Sequence, residues 1–517
     1  MSRYDYRGNV RAPEFPADAE WLNTGRRLSL SALRGKFVLL DFWTYGCINC
    51  IHVIPDLKRL EALYPNELVV IGVHSAKFAN EGDSVNLRET VLRYELEHPV
   101  VNDADFRIWR AYAVRAWPTT VLIDPRGYVI DTHSGEGVYA AFADELANAI
   151  ARYDADGLLD RTPLDLTLER LSAPATELKY PGKLLADEAG GRLFIADSGH
   201  NRIVVTDLRG IVQDVIGSGV RGLADGAFEQ AQFAYPQGLA LDDDGATLHL
   251  ADTENHAIRA VDLRPRARTV RTLAGDGTQA RYIVRAGRAA ATQLNSPWDL
   301  VRVGRRLYIA MAGPHQLWVL DLDDGTIGPY AGTGAEALVD APLAQASLAQ
   351  PSGITTDGRV LYFADSESSA IRSADLDPAG GVLTLIGQGL FDFGDEDGGR
   401  RQARLQHPLG VTWYQGRLYV ADTYNHRIKV IDPADKRLRT LVGGGRGNAD
   451  DEAGGGRARF YEPSGLSGAG GRLYVADTNN HAVRVIDLAS GVVSTLALRD
   501  ARRRLVARGG PGASIAE

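Results

Sequence analysis

Cysteine is nearly absent from this chain of 517 residues: only Cys47 and Cys50 occur. That excludes a framework of structural disulfides and, with no second pair, a four-cysteine zinc site. If the two bond, they bond to each other. No apolar run reaches the roughly 18 residues that a membrane-spanning helix takes. The first residues, Met-Ser-Arg-Tyr-Asp-Tyr-Arg-Gly, lack the apolar stretch of a secretory leader. A cytoplasmic protein with no membrane partner is therefore expected. Basic excess is missing as well: 57 Lys and Arg stand against 66 Asp and Glu, for a net charge of −9, so nucleic acid is not a favoured partner. What the chain does have is size and punctuation. Its length calls for at least two domains, and 56 Gly with 22 Pro fall at regular intervals, the mark of many short strands and turns.

A segment recurs six times after residue 180, in forms such as Arg-Leu-Phe-Ile-Ala-Asp-Ser (192–198) and Arg-Leu-Tyr-Val-Ala-Asp-Thr (417–423 and 472–478). The equivalent positions are Asp197, Asp252, Met311, Asp365, Asp422 and Asp477, spaced 54 to 59 residues apart. Before each alternating strand stands a Pro-x-Gly or Pro-x-x-Leu opening, and after it an Asp-Thr-x-Asn-His turn or a variant of it. A further strand follows, then a last one ending at paired glycines such as Gly275 and Gly277 or Gly443 and Gly445. Strands of period two with no helix between them predict an all-β six-bladed propeller over 179–498 rather than a linear solenoid. The recurring turn residues are expected to be architectural, since a single active site has no use for a copy in every blade. A ring of carboxylates holding Ca²⁺ in the channel is a minor alternative. The units resemble the NHL repeat, and Asn255-His256, Asn425-His426 and Asn480-His481 carry the resemblance. Blade one inverts the pair as His200-Asn201, blade three has Pro314-His315 and no Asp, and blade four has Ser368-Ser369.

Residues 1–155 follow a different grammar. Buried strands are predicted at Phe37 to Trp43, Leu68 to His74 and Thr119 to Ile123, with a short one at Pro99 to Val101 and another at Tyr128 to Thr132. Helices are predicted at Cys47 to Tyr64, Ser84 to Leu96, Asp105 to Ala113 and Tyr139 to Tyr153. The alternation is that of an α/β fold. Residues 156–178 read as a linker and 499–517 as a C-terminal tail.

Trp43-Thr-Tyr-Gly-Cys47-Ile-Asn-Cys50 lies between a strand and the start of a helix, the context in which a Cys-x-x-Cys pair acts in redox chemistry. At a helix N-terminus Cys47 meets backbone N–H groups and the positive dipole end, which lower a thiol pKa from about 8.5 toward 7 or below. Cys50, one turn further in, would resolve a mixed disulfide on Cys47. Asp41, a carboxyl in an otherwise apolar strand, would accept the Cys50 proton. Pro55 falls inside the helix, where a kink is expected. Trp117-Pro118-Thr119 precedes a strand, where a cis proline would present backbone groups to an extended substrate. Trp43, Trp117, Pro118 and Thr119 are accordingly the substrate-binding candidates. His52, His74, His98 and His133 have no matching nucleophile and read as core or surface residues.

Asp41, Cys47, Cys50, Pro55 and Pro118 resemble the thioredoxin superfamily, and the insertion ahead of Pro118 resembles its TlpA and ResA type. The resemblance implies thiol–disulfide exchange. A thioredoxin-like domain followed by NHL blades, together with Cys47-Ile-Asn-Cys50 and Tyr180-Pro-Gly-Lys183, resembles the NHL repeat-containing protein 2 family, its bacterial members included. The reading is a thiol–disulfide oxidoreductase, expected as a monomer and needing no cofactor or metal. Its partners are a protein thiol or disulfide substrate, recruited by the propeller, and an unidentified reductant. A non-catalytic interaction scaffold is the alternative, and a propeller hydrolase or lyase with a channel metal a third.

Overall fold

The computed structural model describes residues 8–281 and 285–499; all of the predicted tail after Arg499 lies outside them. The chain divides into two compact units, the first ending at Ala175 and the second beginning at Thr176.

The first unit is a seven-stranded sheet flanked by helices. Its strands are β1 (Val10–Arg11), β2 (Glu20–Leu22), β3 (Phe37–Trp43), β4 (Leu68–His74), β5 (Val100–Asn102), β6 (Thr119–Ile123) and β7 (Tyr128–Ser134), in the order β1-β7-β6-β3-β4-β5-β2. Strands β3, β4 and β5 are parallel, whereas β6 and β7 join antiparallel. All residues of β3, β4 and β6 are buried, as expected of central strands covered on both faces. One face packs Val53, Leu57 and Leu60 of α1 (Ile48–Leu63) against Phe142 and Leu146 of α4 (Val138–Ala155). The helix α1 stops at Tyr64, the residue before Pro65, where a following proline disfavours helical backbone.

Between these lie α2 (Ser84–Arg93) and α3 (Arg107–Ala111), both shorter than their apolar patterns predict. Glu95 is in the left-handed region at φ 52°, which ends α2 early. Phe106, likewise left-handed at φ 58°, starts α3 late, and the Asp103 carboxylate takes the N–H groups of Ile108 and Trp109 at 2.9 and 2.8 Å. Residues 156–175 stay with this unit. Buried Lys36 donates to the carbonyls of Asn66, Asp160 and Thr162 at 2.7 to 2.8 Å, and Glu169 bonds Asn23 and Arg88.

The second unit is a six-bladed β-propeller of antiparallel sheets with four or five strands each. The extra strands are two-residue pieces such as Gly226–Ala227 that pair with the outer strand of their blade. Each blade-to-blade seam uses the recurring turn. Asn201, His256, His315, Ser369, His426 and His481 are all left-handed. Each accepts, through its side chain, a backbone N–H of the next blade, from Tyr235, Ser296, Gln350, His407, Glu462 and Tyr180 in turn. The hydroxyl after each repeat Asp donates to the next blade's proline carbonyl, as from Ser198 to Pro236, Thr253 to Pro297 and Thr478 to Pro181, at 2.6 to 2.9 Å. The last of these bonds closes the ring. Blade three has Ala312 in place of the hydroxyl yet keeps His315, so its departure from the repeat removes one fastener and leaves the other.

Candidate functional site

Strand β3 delivers Asp41 and Trp43 to the sheet centre, and the chain then turns through Thr44, Tyr45 and Gly46 into α1. Cys47 is the N-cap of that helix, in extended conformation (φ −88°, ψ 118°), and its carbonyl takes the N–H groups of Cys50 and Ile51 at 3.1 and 3.2 Å. The two cysteines are free thiols, with Cys47 9% exposed and Cys50 sealed from solvent. The side chains of Cys50 and Cys47 are hydrogen-bonded. Burial, then that bond and the charge of Cys47, push the Cys50 thiol well above its ordinary range, while a backbone hydrogen bond from Thr44 opposes them. Cys50 therefore holds its proton firmly.

The carboxyl of Asp41 lies close enough to act on that thiol. It is buried in register between Gly72 of β4 and Thr120 of β6, and its Oδ1 has no hydrogen-bond partner among the described residues. Burial pushes its carboxyl up to about 7, and His98 pulls the other way. His98 lies 3.4 Å from Glu61, near the solvent-facing side of α1.

The structure brings Asp41, Trp43, Cys47 and Cys50 together. Trp43 is wholly buried and meets the His74 ring edge-on at 5.1 Å, so it supports the site from beneath. Tyr45 stacks on the His74 ring at 5.4 Å, and burial holds His74 neutral, its pKa pushed down to about 3. The Trp117–Pro118 bond is cis, and the Pro118 carbonyl accepts the N–H of Gly135 at 2.9 Å. Thr119 is buried and donates its hydroxyl to Ala116 at 2.8 Å, which leaves half-buried Trp117, against Trp109 at 4.5 Å, as the outward-facing part of this segment.

One residue escapes any reading of the sequence. Glu81, in a short 3-10 turn after β4, is fully buried and gathers the loop ahead of Cys47. Its carboxylate accepts the N–H of Gly46 at 2.8 Å, of Lys77 at 2.7 Å and of Phe78 at 3.2 Å, and the hydroxyl of Thr44. Burial still leaves its pKa raised against those four bonds. Glu81→Gln turns one acceptor into a donor facing backbone N–H groups, so unfolding in urea should show a loss of about 1–2 kcal/mol. An unchanged midpoint would mean that the loop is held by other contacts.

Comparison with known proteins agrees with both halves. Residues 35–129 match the Thioredoxin-like family, and 405–431 and 460–486 match the NHL repeat. The chain is 45% identical over 496 residues to Protein SUPPRESSOR OF QUENCHING 1, chloroplastic, of Arabidopsis thaliana, an alignment covering 93% of this chain and 47% of that protein. It thus spans about half the length of that plant relative. It is 42% identical over 524 residues to NHL repeat-containing protein 2 of Homo sapiens, covering 94% of this chain and 72% of that one. Over 112 residues, 22% of this chain and 61% of the other, it is 34% identical to Thiol-disulfide oxidoreductase ResA of Halalkalibacterium halodurans. No helix among the described residues is long and apolar enough to cross a membrane.

Proposed function

Because the chain belongs to the NHL repeat-containing protein 2 family, we propose that it is a thiol–disulfide oxidoreductase that works through Cys47 and Cys50. The observation that carries this reading is the asymmetric pair: Cys47 at the helix N-cap with residual exposure, hydrogen-bonded to a sealed Cys50 beside the buried Asp41. The thiolate of Cys47 attacks a substrate disulfide, forming a mixed disulfide and expelling one substrate thiolate. Asp41 takes the proton of Cys50, and the Cys50 sulfur attacks Cys47, releasing the second substrate thiolate and leaving a Cys47–Cys50 disulfide. An external dithiol reductant restores the pair. The likeness to a thiol–disulfide oxidoreductase over the first unit supports this chemistry. The propeller serves as the platform that recruits the protein substrate, a task for which a rigid bladed face is suited.

The test is a trap. In the full chain, Cys50→Ser incubated with a protein disulfide such as insulin should accumulate a covalent adduct on Cys47 that dithiothreitol releases. Cys47→Ser should accumulate none. If Cys50→Ser forms no adduct, the oxidoreductase reading fails and the family's first unit acts here as a scaffold.

A further inference from the structure

Around the propeller axis, the third residue of each blade's opening motif forms a ring: Lys183, Gly238, Asp299, Gly353, Gly410 and Gly465. Glycine recurs because the backbones converge; a Cβ at Gly410 would come within 2.1 Å of the Ser464 carbonyl and one at Gly465 within 2.6 Å of that of Gly182. The two exceptions pair with each other. The Lys183 ammonium lies 3.3 Å from Asp299 Oδ2 and donates to the Leu409 carbonyl. Asp299 also accepts the N–H groups of Leu300 and Ile354 at 2.9 and 3.2 Å, so the pair ties several blades at the axis.

This pair lines a cavity of 430 Å³ that runs along the innermost strands past Thr355, Thr412 and Ser467. Its donors are underused. The third N–H of Lys183 has no acceptor among the described residues. Thr355 and Ser467 accept backbone N–H groups, of Trp413 and Ala186, but their hydroxyls donate to none of the described residues, and the Thr412 hydroxyl makes no hydrogen bond among them. The lining carries both signs: Lys183 faces Asp299, Arg302 on the same wall is held by Asp242 and Asp243 at 3.1 and 2.6 Å, and Asp187 and Glu188 line the cavity as well. Underused donors beside a carboxylate suit a molecule that carries both signs.

We propose that the cavity at the propeller axis is a binding site for a small zwitterion, an α-amino acid, with its carboxylate on Lys183 Nζ and the Thr412 and Ser467 hydroxyls and its ammonium toward Asp299. Burial pushes the Lys183 ammonium down and the Asp299 carboxyl up, so each ion gains from an opposite charge brought into the cavity. Every residue named for the site lies in the second unit.

The full chain titrated calorimetrically with each proteinogenic amino acid at fixed ionic strength should show saturable binding for at least one small member. Acetate and ethylammonium, the two halves of the zwitterion, should each bind at least about tenfold more weakly. Thr412→Val, which removes a hydroxyl without unpairing an ion, should weaken the amino acid by about fivefold to tenfold. Lys183→Met should abolish binding if the variant folds. Absence of saturable heat for every amino acid would overturn the proposal, as would equal binding of acetate alone or an affinity indifferent to Thr412→Val.

Discussion

Arg259→Met should destabilise the propeller by about 3–5 kcal/mol, because it strips the partner from a buried carboxylate. Arg259 is wholly buried, and its guanidinium donates to Asp252 at 2.6 Å, to Asp225 at 2.8 Å and to the carbonyls of Gln232 and Ala224. Burial raises the Asp252 carboxyl to about 6 even with that guanidinium beside it. The construction repeats: Arg372 meets Asp365 and Asp340, Arg484 meets Asp477 and Asp450, and Lys429 meets Asp422, Asp395 and Asp397. Blade three is a control supplied by the chain itself. Met311 and Trp318 occupy the positions of the acid and the base, both buried, and the Trp318 indole donates to Gln316 at 3.0 Å. An apolar pair therefore satisfies the same geometry. The double variant Asp252→Met, Arg259→Trp should recover most of the loss, since no buried ion is left unpaired and half-exposed Asp225 keeps its bonds from Thr272. The denaturation midpoint of the propeller in guanidinium, read for the single and double variants, checks this. A double variant as unstable as the single one would show that the residues are held by shape rather than by charge pairing.

The ion pairs were within reach of the sequence and went unread. A basic residue stands seven positions after the repeat Asp in four blades, Arg259, Arg372, Lys429 and Arg484, inside strands that are otherwise mainly apolar. The pitch of the blades was legible because each unit needs the same apolar alternation to bury its faces, and Leu68–His74 and Thr119–Ile123 were legible because central strands are apolar without interruption. The short strands Val10–Arg11 and Glu20–Leu22 were not, for two or three residues leave no period to detect. At the site, Asp41, Cys47 and Cys50 sit within one stretch of chain and could be placed by local geometry alone. Glu81 acts on Gly46 from 35 positions away, and Lys183 meets Asp299 across two intervening seams. Only the folded chain makes such partners neighbours.

Asp41→Asn should separate catalysis from stability by moving them in opposite directions. In the proposed reaction the Cys50 thiol, raised by burial, loses a proton before it resolves the mixed disulfide, and Asp41, at about 7, is the base proposed to take it. Losing a positioned base slows such a step by about 10²-fold. The release of a trapped substrate, followed by stopped flow at pH 7.5 (roughly where a base of this strength is ionised), should fall by that factor, while the first attack by Cys47 persists. In the native chain the release rate should climb as pH passes about 7, and the Asn variant should lose that rise. Stability follows the opposite sign. Folding lifts the carboxyl from 3.8 to about 7, so Asp41 is harmless below the unfolded value, and its cost grows as pH rises toward the folded one. Above that value the buried ion costs about 4 kcal/mol, which Asn does not carry. Urea unfolding should therefore find Asp41→Asn more stable than the native chain at pH 8 and close to it at pH 4. A variant less stable at both would mean that the carboxylate is held by contacts other than those around β3. A variant that releases substrate at the native rate would remove Asp41 from the reaction and pass the proton to His98 and Glu61, the pair 3.4 Å apart behind it.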